Sequence, residues 1–154
     1  MTPLGVAREH LAKAREFLEA AEIALEAALP NPAVSAAVIS GVNSKDAICL
    51  KRLGSTSKTE KHATALRELT AAGPDTARLA TVLQRLLSAK SKAQYRAASI
   101  SAPDAHRAVA QARKLFEAAQ LIVSSRRCFQ HASRNRWAGW GSKPEPFGYT
   151  PPAL

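Results

Sequence analysis

A regular alternation of leucine and alanine runs through the first turns of the chain. Leucine recurs every seven residues, at Leu4, Leu11, Leu18 and Leu25. Alanine recurs at the same interval three residues later, at Ala7, Ala14, Ala21 and Ala28. This is the a/d spacing of helices packed side by side, so it predicts one long helix, begun by Thr2-Pro3 and ended by Pro30. The length of this leucine–alanine seam also suggests that part of it serves a subunit interface.

The second predicted helix begins at Asn31-Pro32, as cap and first residue, and runs to about Leu53. It carries no charge from Ala33 to Ser44, and a helix that is apolar all round is a buried, central one. Asn43 and Asp46 lie in this setting and need partners, because an unpaired buried polar group costs about 1–3 kcal/mol. We favour a structural network for these two residues, and a polar pocket is the alternative.

Three further helices complete the predicted architecture. A polar loop from Gly54 to Lys61 precedes a short helix that stops at Gly73-Pro74, Asp75 caps a fourth helix, and Ser101 with Asp104 opens a fifth. No run of alternating β-branched residues predicts a strand. We therefore expect an all-α, up-and-down bundle of four to five helices over residues 1–126.

Residues 127–154 differ in composition from the rest of the chain. They hold four of the nine prolines and five of the eight aromatic residues. We interpret them as an irregular tail that docks on the bundle, folds on a partner or is partly disordered.

Charge is the property that bears most on function. The formal net charge is +10, and the excess of positive charge lies after the first predicted helix. Such a balance favours an acidic partner, most often nucleic acid. No apolar run is long enough for a membrane span, and no cleavable leader is evident, so a cytoplasmic location is expected. Cys49 and Cys128 lack metal-ligand spacing, so we expect neither a metal site nor a cofactor.

Two groups of residues are candidates for binding nucleic acid. The first is a basic surface formed by Arg52, Lys58, Lys61, His62, Lys90, Lys92, Tyr95 and Arg96. The second is a stacking platform in the tail, formed by Arg134, Arg136, Trp137 and Trp140. The alternative for the tryptophans is that they anchor the tail in an apolar groove.

Arg126 and His131 are the candidates for catalysis. An arginine that holds a phosphate and a histidine that moves a proton are the groups needed for attack by an RNA 2′-OH. Their i, i+5 spacing requires a bend or a helix end before both groups can meet at one phosphate.

Residues 7 to 125 resemble the HEPN superfamily. The resemblance rests on "AREHLAKAREFLEAAEIAL", on the G-[IV]-N-x-x-D-A-[IV] pattern at Gly41–Ile48, on His62 opening a helix, and on Lys92 and Tyr95 before the last helix. It implies a helical bundle that is usually a homodimer, and many members are RNases of toxin–antitoxin and defence systems. The Arg-x(4–6)-His motif of these RNases is missing from its usual position, because no histidine lies between Arg96 and the start of the last helix.

The resemblance and the charge together favour a non-catalytic module that binds nucleic acid, RNA rather than DNA, in a stress, defence or toxin–antitoxin setting. One alternative is a metal-independent RNase toxin. The other is a protein-interaction or regulatory subunit, for which a nucleotidyltransferase-like antitoxin is a candidate cognate partner.

Overall fold

The computed structural model describes residues 1–58, 61–95, 97 and 99–126, apart from the side chain of Tyr95. Within these residues the chain forms five helices and no strand. The helices are α1 (Pro3–Glu26), α2 (Pro30–Leu53), α3 (His62–Ala71), α4 (Pro74–Tyr95) and α5 (Ala102–Ser124). The predicted all-α class is confirmed.

Contacts along the helices give the topology. Ser40 of α2 donates a hydrogen bond to the carbonyl of Ala14 in α1 over 2.8 Å, and the α1–α2 turn makes these two helices antiparallel. Arg52 at the end of α2 pairs with Asp75 at the start of α4, so α4 is antiparallel to α2. Helices α1, α2, α4 and α5 therefore run up, down, up and down, with α3 as a short addition before α4.

The leucine–alanine seam of α1 is covered within the same chain. Ala7, Ala14 and Ala21 are fully buried and Leu18 is nearly so, and α1 packs on α2 and α5. Alanine at these positions lets the α2 backbone come close, as the Ser40 bond to the Ala14 carbonyl shows. The buried part of the seam is thus used inside the bundle, which does not support its use between subunits.

Helix boundaries agree with the sequence at some ends and differ at others. Thr2 caps α1 by accepting from the Gly5 N–H over 3.0 Å, as predicted. The predicted end of α1 at Pro30 is wrong, because α1 ends at Glu26 and Ala28 adopts a φ of 59°. The chain turns there, and α2 begins at Pro30 with Leu29 as its N-cap, two residues before the predicted start with Asn31 as cap and Pro32 as first residue.

Helix α2 is the central element of the bundle, as its uncharged stretch predicts, and it packs on the other four helices. Two hydrogen bonds fix it parallel to α5. At one end Asn31 Oδ1 accepts from the Ile100 N–H over 3.1 Å, and at the other Lys51 Nζ donates to the Ser125 carbonyl over 2.7 Å. Gly54 ends α2 at a φ of 78°, in the left-handed region that glycine adopts without strain.

Gly41 marks the closest packing around α2. A Cβ atom at this position would lie 2.4 Å from Leu86 Cδ2 and 3.2 Å from Leu115 Cδ1. Both leucines are fully buried, so neither has free space into which to move. Among the residues that the structure places, no helix is long and apolar enough to cross a membrane.

We expect Gly41→Ala to lower the free energy of unfolding by about 1–2 kcal/mol, because overpacking outweighs the gain of about 1 kcal/mol in helix propensity. Chemical denaturation measures this change. Gly5→Ala is the matched control, since its new Cβ would meet mainly the flexible Met1 side chain. A Gly41→Ala protein as stable as the parent would contradict the close packing described here.

Candidate nucleic-acid-binding cleft

A cleft of about 360 Å³ opens between α2, α3 and α4. It exists because α3 packs chiefly on α4 and much less on α2, so the polar loop after Gly54 passes over a gap. The apolar residues that line the cleft are Val38, Ile39, Val42, Ala65 and Leu87. The polar residues that line it are Ser35, Asn43, Lys45, Asp46, Ser57, Lys58, Lys61, His62, Lys90 and Gln94.

The floor of the cleft is built on Lys45, whose side chain is only 4% exposed. Its ammonium group lies 2.8 Å from Asp46 Oδ1, 2.9 Å from Glu68 Oε1 and 2.9 Å from Thr56 Oγ1. An ammonium group has three N–H donors, and these three acceptors take all of them. Burial alone would lower the pKa of Lys45, but the hydrogen bonds to Asp46 and Glu68 outweigh it and raise the pKa. Lys45 therefore stays charged and holds the cleft together rather than facing a ligand.

The two carboxylates beside Lys45 fix the loop between α2 and α3. Thr56 donates to Asp46 Oδ1 over 2.7 Å, and the Ser57 N–H donates to Glu68 Oε2 over 3.0 Å. Burial by itself raises the pKa of Glu68, but the hydrogen bonds from Lys45 and Ser57 bring it below its ordinary value. The predicted polar loop is thus fastened to the floor of the cleft at two successive residues.

Asn43 is buried and Asp46 is partly exposed, and both have partners, as the network interpretation predicts. The Asn43 side chain donates to the Ile39 carbonyl over 2.9 Å and its Oδ1 lies 2.8 Å from His10 Nδ1. Since Oδ1 can only accept, Nδ1 of His10 carries the proton. Both residues also line the cleft. The structural network and the polar pocket, which the sequence left as alternatives for Asn43 and Asp46, are therefore parts of one feature.

Sequence reasoning missed the part played by His10. A signal was present, because His10 lies three residues after Ala7 and four before Ala14 and so borders the apolar seam of α1. There it reaches α2, with Nδ1 also 3.9 Å from Asp46 Oδ2.

Four members of the predicted basic surface meet at the cleft: Lys58, Lys61, His62 and Lys90. Lys58, Lys61 and His62 are exposed, and Lys90 is half-buried on α4. No described residue forms an ion pair or hydrogen bond with Lys58 or Lys90. The positive charge of these lysines is therefore directed to a ligand or to solvent.

Two other members of the predicted surface lie elsewhere. Arg52 donates to both oxygens of Asp75, over 3.0 and 2.8 Å, and to the Ala72 carbonyl over 3.1 Å. The Arg52 side chain is 17% exposed, and its guanidinium group joins α2 to α4. This ion pair lowers the pKa of Asp75. Lys92 lines a different groove, between α4 and α5.

The remaining candidates fall largely outside the described residues. These are Arg96, the side chain of Tyr95, His131, and the tail residues Arg134, Arg136, Trp137 and Trp140. Arg126 is described and is exposed, two residues after the end of α5. It does not line the cleft.

The HEPN domain family model matches residues 7–122. The match covers most of the chain and all five helices apart from the outer ends of α1 and α5, so the chain belongs to the HEPN family. Domains of this family are nucleic-acid-binding or RNase-type modules and often dimerise. No curated protein matches the chain.

Removing the charge of Lys45 tests the floor of the cleft. We expect Lys45→Met to lower the free energy of unfolding by about 3 kcal/mol, because two part-buried carboxylates lose their shared cation. Urea denaturation measures the loss, and Lys13→Met, at an exposed α1 lysine, is the control. A change below about 0.5 kcal/mol, the range of ordinary surface substitutions, would count against the network.

Acidification should weaken the same network through Glu68. Because the native state lowers the pKa of Glu68, its stabilisation is fully present above the ordinary glutamate pKa of about 4.3 and is lost as the pH falls through the lower native value. Glu68→Gln should therefore be less stable than the parent at pH 7, and the difference should shrink toward pH 3. Glu19→Gln, at an exposed residue of α1, controls for the loss of one carboxylate. A difference that stays constant across this range would argue against the ion pair.

Proposed function

We propose that this chain is a non-catalytic nucleic-acid-binding module and that single-stranded RNA is its preferred ligand. The observation that carries the proposal is the arrangement of the cleft. Lys58 and Lys90 line a concavity of about 360 Å³ without a counter-ion among the described residues, and an apolar wall formed by Val38, Ile39 and Leu87 lines the same concavity.

The lysines account for the phosphate. Lys45 is saturated by Asp46, Glu68 and Thr56, so it contributes little to an incoming anion. Lys58 and Lys90 are the cations that gain a partner when a phosphate enters. Neutralising a phosphate releases condensed counterions, so binding should weaken as the salt concentration rises.

The apolar wall accounts for the base. Ile39 is 38% exposed although it belongs to the buried helix α2, and it lines the cleft with Val38 and Leu87. A base that leaves water for this wall gains apolar burial, but only an unpaired base can reach it. The cleft therefore favours single strands over duplexes.

One polar group favours RNA over DNA. Asp46 Oδ2 lies 3.9 Å from His10 Nδ1, beyond hydrogen-bond distance, and Asp46 lines the cleft. The 2′-OH of ribose can donate a hydrogen bond to this oxygen, and DNA lacks this group.

The proposal includes no cleavage step, because Arg126, a candidate for catalysis, does not line the cleft. The RNase and regulatory-subunit alternatives stay hypotheses, as does the stress, defence or toxin–antitoxin setting. Since domains of this family often dimerise, we extend the proposal to a homodimer.

Equilibrium titration with three fluorescent probes of one sequence tests the ligand class. We expect single-stranded RNA to bind more tightly than single-stranded DNA, and both more tightly than duplex RNA. Equal affinity for all three would reject the base-and-ribose part of the proposal, and no binding at low salt would reject it as a whole.

Lys58→Gln and Lys90→Gln should each weaken binding of the single-stranded RNA by about 1 kcal/mol, roughly fivefold. Each should also reduce the slope of log affinity against log salt by about 0.7, the value for one phosphate contact on a single strand. Lys13→Gln removes the same charge from an exposed position of α1, a helix with no residue in the lining of the cleft, and should change neither quantity. Variants that keep the parent slope would show that the cleft is not the binding site.

A further inference from the structure

A second basic groove lies on the other side of α4. Arg85, Ser88 and Lys92 form its α4 side, and Asp104, Arg107 and Gln111 form its α5 side, around a volume of about 120 Å³. Three cations face one carboxylate, and that carboxylate pairs with Arg107. Arg85 and Lys92 have no ion pair with any residue that the structure places.

Helix geometry sets the relation between the two grooves. Lys90 and Lys92 are two residues apart, about 200° around a helix of 3.6 residues per turn, so they lie on opposite sides of α4. Lys90 lines the cleft and Lys92 lines the second groove. The C-terminal half of α4 is thus a ridge, about 10–12 Å across with its side chains, with positive charge on both flanks.

We infer that the α4–α5 groove is a second phosphate site for the same ligand, so that a strand seated in the cleft crosses α4 and continues into this groove. The inference rests on the proposed function of the cleft. The groove is a third of the volume of the cleft and is rich in cationic side chains, which suits a phosphate better than a base. The ligand would then be an oligonucleotide rather than a single nucleotide.

Ligand length separates this inference from the proposal on which it rests. The double variant Arg85→Gln/Lys92→Gln should bind a single-stranded RNA of twelve nucleotides about tenfold more weakly than the parent, and its salt slope should fall by about 1.4, or two contacts of 0.7 each. The same variant should bind a dinucleotide as the parent does, because a dinucleotide in the cleft does not reach across α4. Lys58→Gln should weaken the binding of both probes.

Arg8→Gln/Lys13→Gln is the matched control, because it removes one arginine and one lysine from exposed positions of α1. Thermal unfolding of every variant verifies that the fold is retained. If the Arg85→Gln/Lys92→Gln protein binds the twelve-nucleotide strand like the parent, the path across α4 is wrong while the cleft still stands. If this variant loses both probes equally, the path is wrong and the dinucleotide does not bind in the cleft alone. If the parent binds neither probe, the proposed function fails and this inference fails with it.

Discussion

The buried ammonium group of Lys45 constrains much of the structure around it. Lys45 lies on α2, the helix with the most buried surface, where an unpaired charge would be very costly. Asp46 accepts from only one of the three N–H donors of Lys45. Thr56 and Glu68 accept from the other two. These partners draw the loop after α2 and the short helix α3 against one side of the bundle. The position of Lys58, Lys61 and His62 follows from that attachment, because they are the next residues along the same segment.

Small side chains elsewhere in the bundle explain why we place the proposed function at its edge. Ala14 and Gly41 let helices approach until little space remains for a polar group or a ligand. Helix α3 packs much less closely on α2 than on α4, and a gap with an apolar wall remains between them. The cleft of about 360 Å³ therefore lies beside the ion cluster that Lys45 forms with Asp46 and Glu68. Stability and the proposed binding thus depend on different residues of one region, Lys45 for stability and Lys58 and Lys90 for the binding that we propose.

The sequence predicts most of the fold because helix signals are local. The seven-residue repeat of α1, the cap at Thr2 and the glycine at Gly54 each act within a turn or two of the chain. The predicted start of α2 is wrong because a proline suits the first turn of a helix as well as the end of the preceding one. We interpreted Pro30 as the end of α1, but it begins α2. The candidate site was predicted only in part. Lys58, Lys61, His62 and Lys90 were grouped by charge, but the ion pair of Arg52 with Asp75 and the contact of His10 with Asn43 join residues more than twenty positions apart. No local pattern shows such contacts.

The central claim is that the cleft between α2, α3 and α4 is where RNA binds. Backbone amide chemical shifts of the full chain, followed during titration with a short single-stranded RNA, test this claim residue by residue. The account predicts that the largest changes fall on the residues around Lys58, His62 and Lys90 and that the exposed face of α1 stays unchanged. Changes centred on α1, or spread evenly over the bundle at the salt concentration of the cell, would contradict it.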